Sequence, residues 1–237
     1  LACREILDVY SSGDFQTEAK GDNSPLTMAD KRAHHVISSL LQTTGLPILS
    51  EEGKMIPFEE RRMWDYFWMV DPLDGTKEFL KRNGEFTVNI ALIHGNKPVM
   101  GVVAVPVTED IYYSTGDGAF LNRKGVIQKL AYRGRTNLRQ AGLRVVASRS
   151  HMSEETQQFV NSLAQPSLVS SGSSLKFMML AEGAADVYPR YAPTMEWDTA
   201  ASHAIVNAVG LTVLTQGSSE ELVYNKENLL NPGFLVS

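Results

Sequence analysis

Two aspartates three positions apart, with a proline between them and a glycine and a threonine after them, form the run Asp71-Pro72-Leu73-Asp74-Gly75-Thr76. Carboxylates this close repel each other, and burial raises the cost. A bound cation relieves both, and oxygen ligands of this hardness select Mg²⁺. Gly75 permits unusual dihedrals or a close backbone approach, and N–H groups at a helix start suit a phosphate. Metal and phosphate at one turn point to metal-assisted phosphate hydrolysis.

Three further acids stand at element ends. Glu51 follows the apolar run Leu46-Pro47-Ile48-Leu49-Ser50, with Glu52 beside it. Asp30 lies three residues after Thr27, in capping-box spacing. Asp198 follows Trp197 at the head of an alanine-rich helical stretch. Taken singly, Glu51-Glu52 fits a solvated loop, Asp30 a helix-start residue and Asp198 a cap. Together with the Leu73 carbonyl, the acids supply oxygens from separate segments for two or three Mg²⁺ ions, with water completing each shell.

The elements that position these groups follow from periodicity and turn residues. The aromatic-rich Trp64-Asp65-Tyr66-Phe67-Trp68-Met69-Val70 predicts a buried strand closed by Val70, then a tight turn in which Thr76 opens a short helix to about Lys81. Residues 1–12 read as a helix, 14–20 as a short strand, Gly21 to Pro25 as a turn, and 27–42 as a helix capped by Thr27. Antiparallel strands are expected at 86–93, 99–105 and 110–114.

The polar, arginine-rich stretch 133–142 reads as a junction. It separates an N-terminal α+β domain (1–135) for metal and phosphate from a C-terminal α/β domain (136–237) for substrate recognition. Beyond it, strands at 143–147, 167–170, 185–189 and 211–214 alternate with helices at 153–164, 174–182 and 198–209.

Bulk properties narrow the class. With 43% hydrophobic and 21% charged residues the chain reads as an ordinary globular protein, and a net charge of −5 argues against a general nucleic-acid surface. The one cysteine, Cys3, cannot form an internal disulfide, reads as a small buried hydrophobe, and fits a reducing cytoplasm. No apolar run approaches the ~20 residues of a membrane span, and none reads as a signal peptide. The chain begins at Leu1 part-way along a helical pattern, so its native N-terminus is expected upstream.

With Glu51-Glu52 before it and Trp197-Asp198-Thr199-Ala200-Ala201 after it, the central run resembles the lithium-sensitive, magnesium-dependent inositol monophosphatase superfamily. Asp22 to Asp30, the extension Thr76 to Ile90, Gly172 to Phe177 and Asn231-Pro232-Gly233-Phe234 are similar to its 3′(2′),5′-bisphosphate nucleotidase (CysQ) branch. The resemblance implies a layered α-β-α-β-α sugar-phosphatase fold. It implies Glu51, Asp71, the Leu73 carbonyl, Asp74 and Asp198 as metal ligands, with Asp71 bridging two ions and Glu52 behind them. Gly75 and Thr76 would offer backbone N–H groups to the phosphate. Thr76, oriented by Asp30, would help take a proton from a metal-activated water that attacks in line, with no covalent enzyme intermediate.

The implied substrate is adenosine 3′,5′-bisphosphate, cleaved to AMP and phosphate, with its 5′-phosphosulfate form a second candidate. Ser148, His151, Gly172, Ser173, Ser174, Lys176 and Arg190 are candidates for its adenosine and 5′-phosphate. Exposed-loop, capping and solvated-helix roles compete at His151, at Ser173 and Ser174, and at Lys176. An inositol or sugar-phosphate phosphatase would share every metal ligand and differ only in this pocket. Haloacid-dehalogenase-like phosphatases share Asp-Gly-Thr, but their paired aspartates are two apart rather than three. A non-catalytic metal or nucleotide binder would not need the full set of acids. The branch suggests a cytoplasmic enzyme and leaves monomer and homodimer both open.

Overall fold

A computed structural model describes residues 1–19, 25–147 and 152–237. Lys20, the Gly21 to Ser24 part of the expected turn, and Ser148-Arg149-Ser150-His151 lie outside the described residues.

Helix α1 (Ala2–Ser12) packs against α2 (Met28–Leu41), and a two-residue ladder, β1 (Glu18–Ala19) with β2 (Pro25–Leu26), lies between them in sequence. The central sheet has seven strands in sequence order: β3 (Ile48–Ser50), β4 (Tyr66–Asp74), β5 (Thr87–His94), β6 (Lys97–Val105), β7 (Asp110–Thr115), β8 (Gly118–Arg123) and β9 (Val126–Lys129). β3 runs parallel to β4, and every other neighbouring pair is antiparallel. Short helices α3 (Phe58–Arg61) and α4 (Thr76–Leu80) flank β4 in the chain.

In the remainder, β10 (Arg144–Val146) pairs in parallel with β11 (Ser167–Val169), with α5 (Glu154–Ser162) between them in sequence. Then come α6 (Leu175–Ala181), β12 (Tyr188–Arg190), β13 (Thr194–Met195), α7 (Glu196–Ala208), β14 (Val213–Thr215), β15 (Leu230–Asn231) and β16 (Phe234–Val236). A three-stranded sheet has the order β12-β16-β14, and β13 pairs with β15.

The layers follow from which side chains each sheet face buries. Alternation along β4 sends Val70 towards α1 and α2, where it joins Ile6, Ala29, Ala33 and Ile37. Phe67 and Met69 point the other way, into a core shared with Ala201 and Ile205 of α7, Phe177 of α6 and Val236 of β16. α7 packs directly on β4, β5 and β6, while α5 and α6 both reach β12. The result is the expected α-β-α-β-α sandwich. α7 lies so close to the sheet that a Cβ on Gly101 of β6 would stand 2.1 Å from the Ala201 carbonyl oxygen.

Several elements differ from the sequence expectation. β4 does not stop at Val70. It continues to Asp74, with its pairing to β5 irregular between Asp71 and Asp74. Pro72 lacks the N–H a regular ladder needs, so the chain stays extended through a bulge instead of turning. α7 starts at Glu196 with Met195 as its N-cap residue, which makes Asp198 the third helical residue and not the cap. Strands β8 and β9, helix α3 and the C-terminal strands β15 and β16 have no counterpart in the sequence reading.

Candidate active site

The acids converge because of strand direction. In the parallel pair, Ser50 lies opposite Val70 and the Glu51 amide donates to the Val70 carbonyl at 3.1 Å, so Glu51 and Asp71 leave the same sheet end together. α2 brings Asp30 to this end from one face of the sheet, and α7 brings Asp198 from the other.

Asp71 is 1% exposed. Its Oδ1 accepts from the Leu73 amide at 3.0 Å, while Oδ2 is buried and finds no donor among the described residues. Burial, then Glu51, Asp74 and Asp198, push its pKa well above the usual carboxylate range. Burial and Asp74 likewise push Asp198 up to about 8, against the Met195 amide, which donates to Asp198 Oδ2 at 2.8 Å. These acids resist ionisation together unless positive charge joins them.

The donor set fits a hard divalent cation: four carboxylates, one with a buried orphan oxygen, and the Leu73 carbonyl. Among the described residues, no three acidic, histidine or cysteine side chains close on a single point. Glu51, Asp71, Asp74 and Asp198 are nevertheless near enough to raise one another's charge cost.

Asp30 and Thr76 meet, the contact that the resemblance implied. Thr27 caps α2 in a full capping box: its amide and hydroxyl both donate to Asp30 Oδ2, at 2.7 and 2.5 Å. The other oxygen, Oδ1, accepts from the Thr76 hydroxyl at 3.4 Å, and the same hydroxyl lies 3.3 Å from the Leu73 carbonyl. Thr76 is the first residue of α4, the helix it was expected to open. Gly75 takes the preceding position at φ 93°, in the left-handed region, with space so tight that a Cβ would meet the Glu85 carbonyl oxygen at 3.1 Å.

A cavity of about 410 Å³ opens from this end, lined by Asp74, Gly75 and Asp198 on one side and by Lys176, Tyr188, Arg190 and Phe234 elsewhere. Glu51 faces a second cavity of about 530 Å³, beside Trp197, Phe58 and Met195. Burial lowers the Lys176 pKa although Asp74 favours its charge, and the Lys176 ammonium bonds the Ser173 carbonyl at 3.2 Å. Arg190 reaches the Pro193 carbonyl at 3.4 Å, and its Nε is buried without a partner among the described residues. Neither cation has an ion-pair partner there. Burial pushes the Tyr188 hydroxyl up to about 12, so it stays protonated.

Ser173 and Ser174 line the cavity, and their bonds run to Asp74: the Ser173 hydroxyl at 2.5 Å and the Ser174 amide at 2.7 Å both donate to Oδ2. Gly172 is outside the lining, where a Cβ would strike the Glu85 carbonyl oxygen at 2.8 Å. Ser148 and His151 lie outside the described residues.

Two residues without a role in the sequence reading complete the support. Thr87 bonds both serine hydroxyls at 2.6 Å, and Asn89 accepts from Ser174 Oγ at 2.8 Å. They are 0% and 1% exposed on a strand whose other residues up to Ile93 are apolar. Two polar residues two apart on a buried strand were the available signal.

The chain matches the model of the inositol monophosphatase family over residues 2–233. It is 46% identical over 237 residues to the 3′(2′),5′-bisphosphate nucleotidase CysQ of Salmonella typhimurium, covering 98% of this chain and 93% of that protein. It is 45% identical to the protein of the same name from Escherichia coli K12, with the same coverage. Among solved structures, CysQ from Bacteroides thetaiotaomicron, a bacterial member of the inositol monophosphatase family, is 46% identical with a TM-score of 0.88, covering 100% of this chain and 92% of that one.

Proposed function

The chain belongs to the inositol monophosphatase family, and from that premise we propose that it is a magnesium-dependent 3′(2′),5′-bisphosphate nucleotidase. It removes the 3′-phosphate of adenosine 3′,5′-bisphosphate to give AMP and inorganic phosphate. The observation that carries the substrate is the cavity itself, which Asp74 and Asp198 line together with Lys176 and Arg190, two cations without an ion-pair partner among the described residues. A nucleotide with two phosphates answers both the acids, through bound metal, and the cations. Inositol monophosphate leaves the two cations unanswered. Adenosine 3′-phosphate 5′-phosphosulfate presents the same anion pattern and stands as a second substrate.

The ligands are Glu51, Asp71, the Leu73 carbonyl, Asp74 and Asp198, holding two or three ions. Magnesium bound there neutralises the acids and the phosphate oxygens and lowers the pKa of water. Gly75 and Thr76 present their N–H groups to the scissile phosphate. Asp30 accepts from Thr27 at Oδ2 and from the Thr76 hydroxyl at Oδ1. Thr76 passes the proton of the attacking water towards Asp30 as the water approaches in line with the departing 3′-oxygen. Tyr188, Lys176 and Arg190 orient the nucleotide from the C-terminal part (136–237), while residues 1–135 supply most of the metal and phosphate site. No helix among the described residues is long and apolar enough to cross a membrane, and the reaction is assigned to the cytoplasm.

Phosphate release should be measured with Mg²⁺, with and without Li⁺, on adenosine 3′,5′-bisphosphate, inositol 1-phosphate and fructose 1,6-bisphosphate. The adenosine bisphosphate should be turned over with the highest kcat/KM, and Li⁺ should suppress it. Faster release from inositol phosphate would move the protein to the inositol monophosphatases of the same scaffold.

A further inference from the structure

Asn231 is 4% exposed, and its amide is committed to the turn that carries Asp198. Nδ2 donates to the Met195 carbonyl at 2.9 Å and to the Thr199 hydroxyl at 3.0 Å, with the Thr194 hydroxyl at 3.3 Å. Met195 is also the residue whose amide holds Asp198 Oδ2, at 2.8 Å. One peptide segment thus grips the carboxylate with its N–H and is gripped through its C=O. Thr199, the next residue of α7, is fixed from the same amide and lies 3.2 Å from the Tyr224 hydroxyl.

The orientation of Asn231 is fixed in turn. Its Oδ1 accepts from Lys226 Nζ at 3.3 Å, and Lys226 also pairs with Glu196 Oε1 at 2.5 Å. Glu196 is 0% exposed and takes the amides of Asn225 and Lys226, at 2.6 and 3.0 Å. The network therefore clamps residues 225–231 to the first turn of α7. Only an amide serves at position 231, because it must donate to two acceptors and accept from an ammonium.

We infer that Asn231 is a positioning residue for Asp198, acting through the Met195 peptide and the Thr199 hydroxyl to hold that carboxylate beside Asp74 and Glu51. The inference rests on the reading of Asp198 as a metal ligand. It gives the closing Asn-Pro-Gly-Phe run a role in cation affinity, separate from the place of Phe234 in the cavity wall.

The test is Asn231→Asp, which keeps the size and the Lys226 contact and loses both donors. Calorimetric titration of the metal-free protein with Mg²⁺ should show Kd raised about 10- to 100-fold, the range for residues that orient metal ligands. The metal-free melting transition should stay cooperative, and raised Mg²⁺ should restore much of the lost kcat. A purely structural clamp would shift the melting curve and leave Kd alone; parent-like Kd in a folded Asn231→Asp protein overturns the inference. Should that variant not fold, Thr199→Val removes one acceptor of the Asn231 amide and should raise Kd by up to about tenfold, an unchanged Kd again overturning it. A parent protein that does not bind Mg²⁺ sinks the metal reading along with the inference. A parent that binds while its variants are unchanged removes only Asn231.

Discussion

Asp71, Leu73, Asp74, Gly75 and Thr76, most of the groups assigned to metal and phosphate, come from six consecutive residues, joined by Glu51 and Asp198 from other elements, whereas the groups assigned to the nucleotide are drawn from α6 (Lys176), β12 (Tyr188 and Arg190) and β16 (Phe234). The first region is dense in like charge and therefore costly, with a buried orphan oxygen and two carboxylates raised by burial and mutual repulsion. The second is ordinary core wall with two cations added: Phe177, Tyr188 and Phe234 pack edge-on or stacked at 5.2 to 5.8 Å between ring centres. On the proposed reading, chemistry is concentrated where the fold is least comfortable, and recognition is laid over residues that also pack the core. Loss at the first end should remove turnover, while loss at the second should weaken binding of one class of substrate.

The largest contrast comes from Asp71→Asn. Losing this buried carboxylate should cut kcat by 10²–10³-fold or more, the scale for one preorganised electrostatic group. The metal-free fold should survive and melt higher, because the change removes a buried ionisable group surrounded by three other acids. Activity near that of the parent would dissolve the distinction between the two ends. Thr76→Val should follow, with a loss on the order of 10²-fold in kcat, the lower part of the range for a general acid–base group. Thr76→Ser should recover most of it, since the hydroxyl that reaches Asp30 at 3.4 Å is what matters. An equal loss in the serine variant would point to packing.

The same contrast decided what could be read in advance. Strand-then-acid recurs at Ser50-Glu51 and Val70-Asp71, and strand direction converts that pattern into contact; so the metal end was legible from local sequence. The capping box from Thr27 to Asp30 was legible for the same reason, although its second use, presenting Oδ1 to Thr76, depends on α2 packing against β4. The continuation of β4 through Pro72 was not legible, because proline and glycine signal a turn unless a neighbouring strand keeps the chain extended. Ser173 and Ser174 read as substrate or cap residues, and only the fold brings them to Asp74, 99 and 100 positions away. Thr87 and Asn89 show only as polar residues two apart in an apolar run, and Asn231 carries no local pattern of chemistry. They are polar residues whose partners lie in other elements.

At the recognition end, Lys176→Ala should raise KM for adenosine 3′,5′-bisphosphate about tenfold, the value of one charge-assisted contact of roughly 1.4 kcal/mol. Adenosine 3′-monophosphate, which lacks the second phosphate, should lose far less. Equal losses on both would take Lys176 out of the 5′-phosphate site and return it to a supporting role under Ser173, whose carbonyl it already bonds.

The smallest effect is the response of stability to pH, and it separates the ends without touching activity. Asp198 has an ordinary pKa of 3.8 and is raised to about 8 in the metal-free fold, chiefly by burial and by Asp74. Between those values the folded chain holds a proton that the unfolded chain has released, so this group's contribution to stability falls as pH rises from about 4 to about 8. Magnesium binds the ionised acids and competes with that proton. The rise in melting temperature on adding a fixed Mg²⁺ concentration should therefore be larger at pH 8 than at pH 6, by a few degrees at roughly 2–4 °C per kcal/mol. In Asp198→Asn the difference between the two pH values should shrink, whereas in Lys176→Ala it should persist, because Lys176 is not one of the carboxylates that exchange a proton for the cation. If Mg²⁺ stabilised the parent equally at both pH values, proton release would not accompany metal binding, and the crowding of Asp71, Asp74 and Asp198 would have to be relieved by something other than the cation.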